Sequence, residues 1–254
     1  MTTPDGRGVS FVIDDLADRE LDVQTGEFAP SALMTMSLHH LWLEQYANLF
    51  AGRAEETRRF WSCFRKYMAQ WIEMLTPSVS APPVFRSYGG SDWARLAWNG
   101  APVKVSCAAA CLLADRRDAI SSIEEVADDL MIAVVMLDAT FDWLEDLDGC
   151  RYNVFAAYCS NLAQTPENAQ ANRRAVLEEI HLHKAAQPYF QIICERLARA
   201  VDAAGRLGCP AVSEFAHNLA DESRSCASWL MEQATERINT ALAEAGKHGQ
   251  DAPE

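Results

Sequence analysis

Apolar side chains recur at every third or fourth residue along most of the chain, and this spacing constrains the fold more than any other feature. An α-helix brings residues three and four apart onto one face, so the pattern predicts helices with one buried side. It is clearest over residues 54–75, whose large apolar residues are Phe60, Trp61, Phe64, Tyr67, Met68, Trp71 and Leu75. The sequence therefore predicts an all-α fold, a single bundle of long helices over residues 1–254, with a polar tail from about residue 246.

Prolines, glycines and capping residues set the predicted helix ends. The predicted helices cover residues 31–51, 54–75, 92–98, 102–114, 121–145, 151–162, 168–207 and 210–245. Residues 76–91 hold three prolines and two glycines and are predicted to contain no helix. Pro102 is placed to open a helix. Ser121 or Ser122 is placed to cap the next long helix, and Pro188 to kink a later one.

The charge and composition of the chain exclude several classes of protein. Its 22 lysines and arginines stand against 36 aspartates and glutamates, a formal net charge of −14. This charge repels a polyanion, so no nucleic-acid partner is expected. No run approaches the roughly 18 apolar residues of a membrane helix, and residues 1–8 lack the layout of a signal peptide. The cysteines show no metal-binding spacing and fit buried positions in a reducing compartment, so a cytoplasmic location is expected.

Aspartates are clustered at two places in the chain. The first acidic cluster is Asp14, Asp15 and Asp18, and the second acidic cluster is Asp138, Asp142 and Asp146. Residues four apart share a helix face and lie about 6 Å apart along its axis, so like charges at this spacing repel one another. No basic residue occurs between Asp129 and Arg151 to relieve the second cluster. Such carboxylates suit Mg²⁺, which takes further ligands from water and phosphate, and a solvated acidic face is the alternative.

Lys104 is a lone cation at the start of the apolar, small-residue helix predicted over residues 102–114. Two interpretations are open. It is either a surface lysine in the first turn or a ligand for a diphosphate, because a compact ammonium group neutralises a leaving phosphate.

The order of these elements resembles that of the trans-polyprenyl diphosphate synthases and class I terpene synthases. That superfamily has a DDxxD helix, then a lysine followed by small residues, then a second aspartate-rich helix closed by a glycine and a basic residue. The matching residues are Asp14, Asp15, Asp18, Lys104, Asp138, Asp142, Gly149 and Arg151. The resemblance implies the isoprenoid synthase fold, with the aspartates as Mg²⁺ ligands and with Lys104 and Arg151 on the diphosphate of an allylic isoprenyl diphosphate. Aromatic residues are candidates to stabilise the allylic carbocation formed when the diphosphate leaves, with an ordinary core position as the alternative for each: Phe141, Trp143, Trp42 and Trp61.

Three functions are open under this resemblance. A prenyltransferase, which couples two isoprenoids, accounts best for Lys104 and the first acidic cluster. A terpene cyclase accounts for the second cluster, because the spacing that includes Asp146 matches the metal motif of cyclases, and it tolerates Ala139 where prenyltransferases have a second aspartate. A catalytically degenerate subunit accounts for the thirteen residues before Asp14, where the family has three or more helices. A homo- or hetero-oligomer is expected, in the third case with a partner chain that supplies those helices.

Overall fold

Helices make up all the regular structure that the computed structural model describes, which covers residues 28–80, 92–148, 152–160, 177–180 and 185–248. Residues 177–180 are helical, and the other elements are α1 (Phe28–Leu49), α2 (Ala54–Ser80), α3 (Asp92–Trp98), α4 (Ala101–Leu113), a 3-10 turn (Arg117–Ala119), α5 (Ile120–Asp148), α6 (Val154–Ser160), α7 (Ala186–Leu207) and α8 (Pro210–His248). No strand occurs within these ranges, so the all-α prediction is confirmed for them. None of the helices described is long and apolar enough to cross a membrane.

The predicted helix pattern is confirmed over most of these ranges, but α2 runs further than expected. Pro102 lies in the first turn of α4 as predicted. The sequence predicts no helix over residues 76–91, whereas α2 continues through Pro77 to Ser80. A proline removes one hydrogen bond from the helical ladder, but its fixed φ is compatible with a helix. Pro77 alone therefore does not end α2.

Two other predicted helix signals have a different role in the structure. The backbone of Ile120 is already helical (φ −57°, ψ −47°) where it follows the 3-10 turn. Ser121 and Ser122 therefore lie inside the first turn of α5 and do not cap it. Pro188 is the third residue of α7, where a backbone N–H has no intrahelical acceptor. It lies at the beginning of a helix and does not kink one.

The helices belong to two compact units. The first comprises Met1–Pro82 and Ala97–Ala127, and the second comprises Pro83–Leu96 and Asp128–Glu254. The boundary falls within α5, so the first turns of this helix belong to the first unit and its acidic cluster to the second. The single domain predicted over residues 1–254 stays a prediction.

Aromatic side chains of α1 and α2 form the core of the first unit with small residues of α4. Its buried members are Tyr46, Phe50, Phe60, Tyr67, Ala101, Val105, Ala108, Ala109 and Leu112. The Phe60 ring stacks on Tyr46 and Phe50, with ring centroids 4.7 and 4.8 Å apart. Alanines at the contact face of α4 leave room for these rings, so α2 and α4 pack against each other.

In the second unit α7 and α8 pack against each other across a short link. The link holds Gly208, whose left-handed backbone (φ +71°) ends α7. The ring of Phe155 on α6 lies 5.0 Å from that of Tyr189 on α7. The Tyr189 hydroxyl donates a buried 2.7 Å hydrogen bond to the carbonyl oxygen of Met136. This bond fixes α7 to the turn of α5 that precedes the second acidic cluster.

Candidate functional site

The second acidic cluster lies on the C-terminal half of α5, which is continuous from Ile120 to Asp148. Asp138 and Asp142 are exposed, and Asp146 is half-buried. Met136, Leu137 and Trp143 on other faces of the same turns are buried in the second unit. The three carboxylates therefore follow one another along a single face, with the apolar side chains of α5 turned into the core.

The carboxylates of this cluster repel one another. Partial burial raises the pKa of Asp138 above its usual range, and the negative charges of Asp142 and Asp146 raise it further. No lysine or arginine in the described part of the chain pairs with Asp138 or Asp142. A bound cation would relieve this repulsion.

Asn153, which immediately precedes α6, holds the third aspartate of the cluster. Its side-chain amide donates hydrogen bonds to Oδ2 of Asp146 (2.8 Å) and to the carbonyl oxygen of Ala139 (3.0 Å). Its Oδ1 accepts the backbone N–H of Ala156 (3.0 Å), so Asn153 also caps α6. The sequence analysis did not identify Asn153. The available signal was an asparagine directly before the apolar run Val154–Ala157, the pattern of a helix cap.

Phe141 is 60% exposed although it is a large aromatic residue. It lies one turn after Asp138 and next to Asp142. Trp143, in contrast, is buried and packs edge-on against Phe155 at 6.2 Å. Phe141 is thus the aromatic side chain of this segment that an apolar ligand can contact beside the acidic cluster.

The donor set of the second acidic cluster suits Mg²⁺ in part. Among the described residues, no three histidines, cysteines, aspartates or glutamates are grouped closely enough to hold one metal ion. Carboxylates one helical turn apart, about 6 Å along the axis, are too far separated for all three to bind a single ion. Mg²⁺ commonly binds through one or two carboxylates, with waters and substrate phosphates as its other ligands. The exposed carboxylates of Asp138 and Asp142 are compatible with that second arrangement, in which a diphosphate would complete the coordination.

Lys104 lies on α4 in the first unit and is only 3% exposed. Its interpretation as a surface lysine is therefore wrong. The surrounding residues of α4 that are also buried are alanine and valine, which is the reason the sequence pattern did not reveal its burial. Its role as a diphosphate ligand stays a prediction.

Glu124 is the centre of a cluster of polar side chains that the sequence did not indicate. Its carboxylate carries negative charge near Lys104. The ammonium of Lys66 lies 2.8 and 2.9 Å from its two carboxylate oxygens, and the buried Tyr67 hydroxyl also donates to it. Burial raises the pKa of Glu124. The hydrogen bonds from Lys66 and Tyr67, with the positive charges of Lys66 and Lys104, outweigh burial and hold that pKa below its usual range. These partners lie 57 and 58 residues away, so no local sequence pattern indicates them.

The lowered pKa of Glu124 makes part of the stability depend on pH. Because the folded-state pKa lies below the unfolded one, this contribution is fully present above the unfolded pKa, about 4.3. It is lost as the pH falls through the folded value. We expect Glu124→Gln to reduce the free energy of unfolding at pH 7 and to have less effect at pH 3, as measured by urea denaturation. Glu125→Gln, at the exposed neighbouring position, is the control. An equal loss at both pH values for Glu124→Gln would contradict the prediction.

Four of the predicted site residues cannot be placed. Asp14, Asp15, Asp18 and Arg151 lie outside the described residues. Their assigned roles in metal and diphosphate binding stay predictions.

Comparisons of the chain with protein-family models, with curated proteins and with solved structures find no match. The resemblance to class I isoprenoid synthases therefore rests on the sequence motifs alone.

Proposed function

We propose that the chain binds Mg²⁺ together with the diphosphate of an allylic isoprenyl diphosphate on the second acidic cluster, and that it ionises this substrate for prenyl coupling. The observation that carries the proposal is the pair of exposed carboxylates, Asp138 and Asp142, on one face of α5. Asp138 and Asp142 repel each other there without a cationic partner among the described residues. A pair of like charges of this kind costs stability, and a Mg²⁺–diphosphate complex would offset that cost.

The chain's own residues would have distinct parts in this chemistry. When bound, Mg²⁺ neutralises the charge that develops on the leaving diphosphate. Asp138 and Asp142 would hold the ion from the exposed face, and Asp146 would bind from a position that Asn153 fixes. Lys104 and Arg151 are the proposed cationic ligands of the diphosphate.

The substrate's reaction would begin with cleavage of its C–O bond, in which the electron pair leaves with the diphosphate. The allylic cation that remains would be stabilised by the face of Phe141. In coupling, the double bond of a second isoprenoid attacks this cation, a C–C bond forms, and a proton is lost to restore the double bond. This reaction would also require apolar side chains that exclude water and so protect the cation from hydrolysis.

Cyclisation is a second candidate, and one contact favours it. Asn153 holds the Asp146 carboxylate at the third position of the row, so the cluster presents the i, i+4, i+8 spacing of a cyclase metal motif. Ala139 also replaces the adjacent aspartate that prenyltransferases have. In this case the cation would be attacked by a double bond of the same molecule, and no co-substrate would be needed. The cyclic cation would then lose a proton to give a hydrocarbon, or be captured by water with loss of a proton to give an alcohol.

Product analysis tests the proposal. The purified chain is incubated with Mg²⁺ and ten-, fifteen- or twenty-carbon allylic diphosphates, with and without the five-carbon homoallylic diphosphate, and products are identified by mass spectrometry. A longer diphosphate supports coupling, and a hydrocarbon or alcohol formed without co-substrate supports cyclisation. Either product should be lost in Asp138→Ala and Lys104→Ala and retained in Asp202→Ala, which removes an exposed carboxylate from α7.

The absence of any product would contradict catalysis by this chain alone. Retained binding of Mn²⁺ and inorganic diphosphate would then support the degenerate-subunit alternative. Loss of both activity and binding would overturn the proposed site.

A further inference from the structure

Asn153 is buried to 2% exposure, yet all the polar atoms of its side chain take part in hydrogen bonds. Its amide nitrogen donates hydrogen bonds to two acceptors, and both belong to the part of α5 that carries the second acidic cluster. One is the Asp146 carboxylate and the other is the backbone carbonyl of Ala139, between Asp138 and Thr140. A simple helix cap needs only the side-chain oxygen, so the two hydrogen bonds that the amide nitrogen donates call for a further explanation.

We propose that Asn153 is a positioning residue for metal and diphosphate binding by the second acidic cluster. This inference rests on the proposed function. The bond to Oδ2 holds the Asp146 side chain in one rotamer, so the carboxylate does not have to be ordered when a metal ion binds. The bond to the Ala139 carbonyl ties the same asparagine to the turn that carries Asp138 and Asp142.

The hydrogen bonds of Asn153 also explain why its buried amide can donate to the Asp146 carboxylate without a loss of folding stability. A buried amide with a missing partner is destabilising, but here the donors and the acceptor are all satisfied. Its Oδ1 is committed to α6, so rotation of the amide would break the cap as well as the contact with Asp146. The start of α6 therefore keeps the donor directed at the acidic cluster.

Substitution of Asn153 by serine separates its role as the cap of α6 from its role as a donor to the acidic cluster. Ser caps helices about as well as Asn, so Asn153→Ser keeps the oxygen for α6 and removes only the amide donor. The probe is Mn²⁺ in equilibrium dialysis with inorganic diphosphate, and the proteins are the parent, Asn153→Ser, Asp146→Ala and the double variant. We expect Asn153→Ser to weaken Mn²⁺ binding by about tenfold to a hundredfold, the usual range when a hydrogen-bond partner of a metal ligand is removed.

The double variant distinguishes positioning from a general structural effect. If Asn153 acts through Asp146, Asn153→Ser has no further effect on Mn²⁺ binding in the Asp146→Ala background. An equal loss in both backgrounds would overturn the inference. So would unchanged binding in Asn153→Ser while the parent binds, a result that leaves the proposed function standing.

Two further outcomes are distinguishable. If the parent binds no Mn²⁺ with diphosphate, the proposed site and this inference fail together. If Asn153→Ser does not fold, as judged by circular dichroism, Asn153→Thr keeps the cap with a larger side chain and is submitted to the same dialysis. Parent-like binding in Asn153→Thr would also overturn the inference.

Discussion

The Asp138→Asn variant is expected to be more stable than the parent protein in metal-free buffer and to lose Mn²⁺ binding in the presence of inorganic diphosphate. The first effect follows from repulsion, because the charges of Asp142 and Asp146 raise the pKa of Asp138 in the folded state. Removal of one like-charge pair on a helix face raises the free energy of unfolding by about 0.2–0.5 kcal/mol. The second effect is larger, since a carboxylate ligand is replaced by a neutral amide, and we expect a loss of about a hundredfold.

The pH dependence of the stability difference between parent and variant follows from the direction in which the pKa of Asp138 is shifted. A folded-state pKa above the unfolded value means that the folded protein binds the proton more tightly. The parent therefore loses stability as the pH rises from about 4 through the raised pKa of Asp138, and Asp138→Asn does not have this contribution. Urea denaturation at pH 4 and pH 7 measures the difference, and equilibrium dialysis measures binding.

A suitable control is Asp202→Asn, which neutralises an exposed aspartate on α7. Asp and Asn have similar helix propensities, so neither substitution changes stability through propensity alone. If Asp138→Asn bound Mn²⁺ as well as the parent did, Asp138 would not be a ligand. If it were also no more stable than the parent at pH 7, the cluster would be an ordinary solvated face.

The helices could be predicted because their signal is local. Apolar residues three and four apart predict a helix wherever its core lies. The bounds of α3 and α4 and the start of α8 follow from that spacing with nearby prolines and glycines, whereas α8 continues through Gly246, the predicted start of the polar tail, to His248. The errors arose where a local signal has several structural outcomes. Pro77 permits a helix to continue, and Pro188 is suited to a first turn as well as to a kink.

Of the candidate site, only the second acidic cluster could be predicted from the sequence. Asp138, Asp142 and Asp146 share a face because of their spacing, whereas the burial of Lys104 depends on helices distant in sequence. The same holds for Glu124, whose partners Lys66 and Tyr67 come from α2. A pattern of residue types does not indicate which helices pack together, so such contacts become visible only in the folded structure.

Phe60→Ala is expected to reduce the free energy of unfolding by about 3–5 kcal/mol, the usual range for removal of a buried aromatic ring. Phe60 has no exposed surface and stacks on both Tyr46 and Phe50. Alanine would leave a cavity between α1 and α2 and would remove two ring contacts, each worth about 0.5–1.5 kcal/mol beyond the buried area. The loss is large because neighbouring rings are rigid and cannot fill the space.

The measurement is urea denaturation followed by far-ultraviolet circular dichroism, with Leu49→Ala as the matched control. Leu49 is 53% exposed at the end of α1, so its truncation should change the free energy of unfolding by less than about 0.5 kcal/mol. A comparable loss in the two variants would mean that Phe60 is not at the centre of this core. A loss confined to Phe60→Ala, with Mn²⁺–diphosphate binding retained below the unfolding transition, would separate the aromatic core of the first unit from the acidic chemistry of the second.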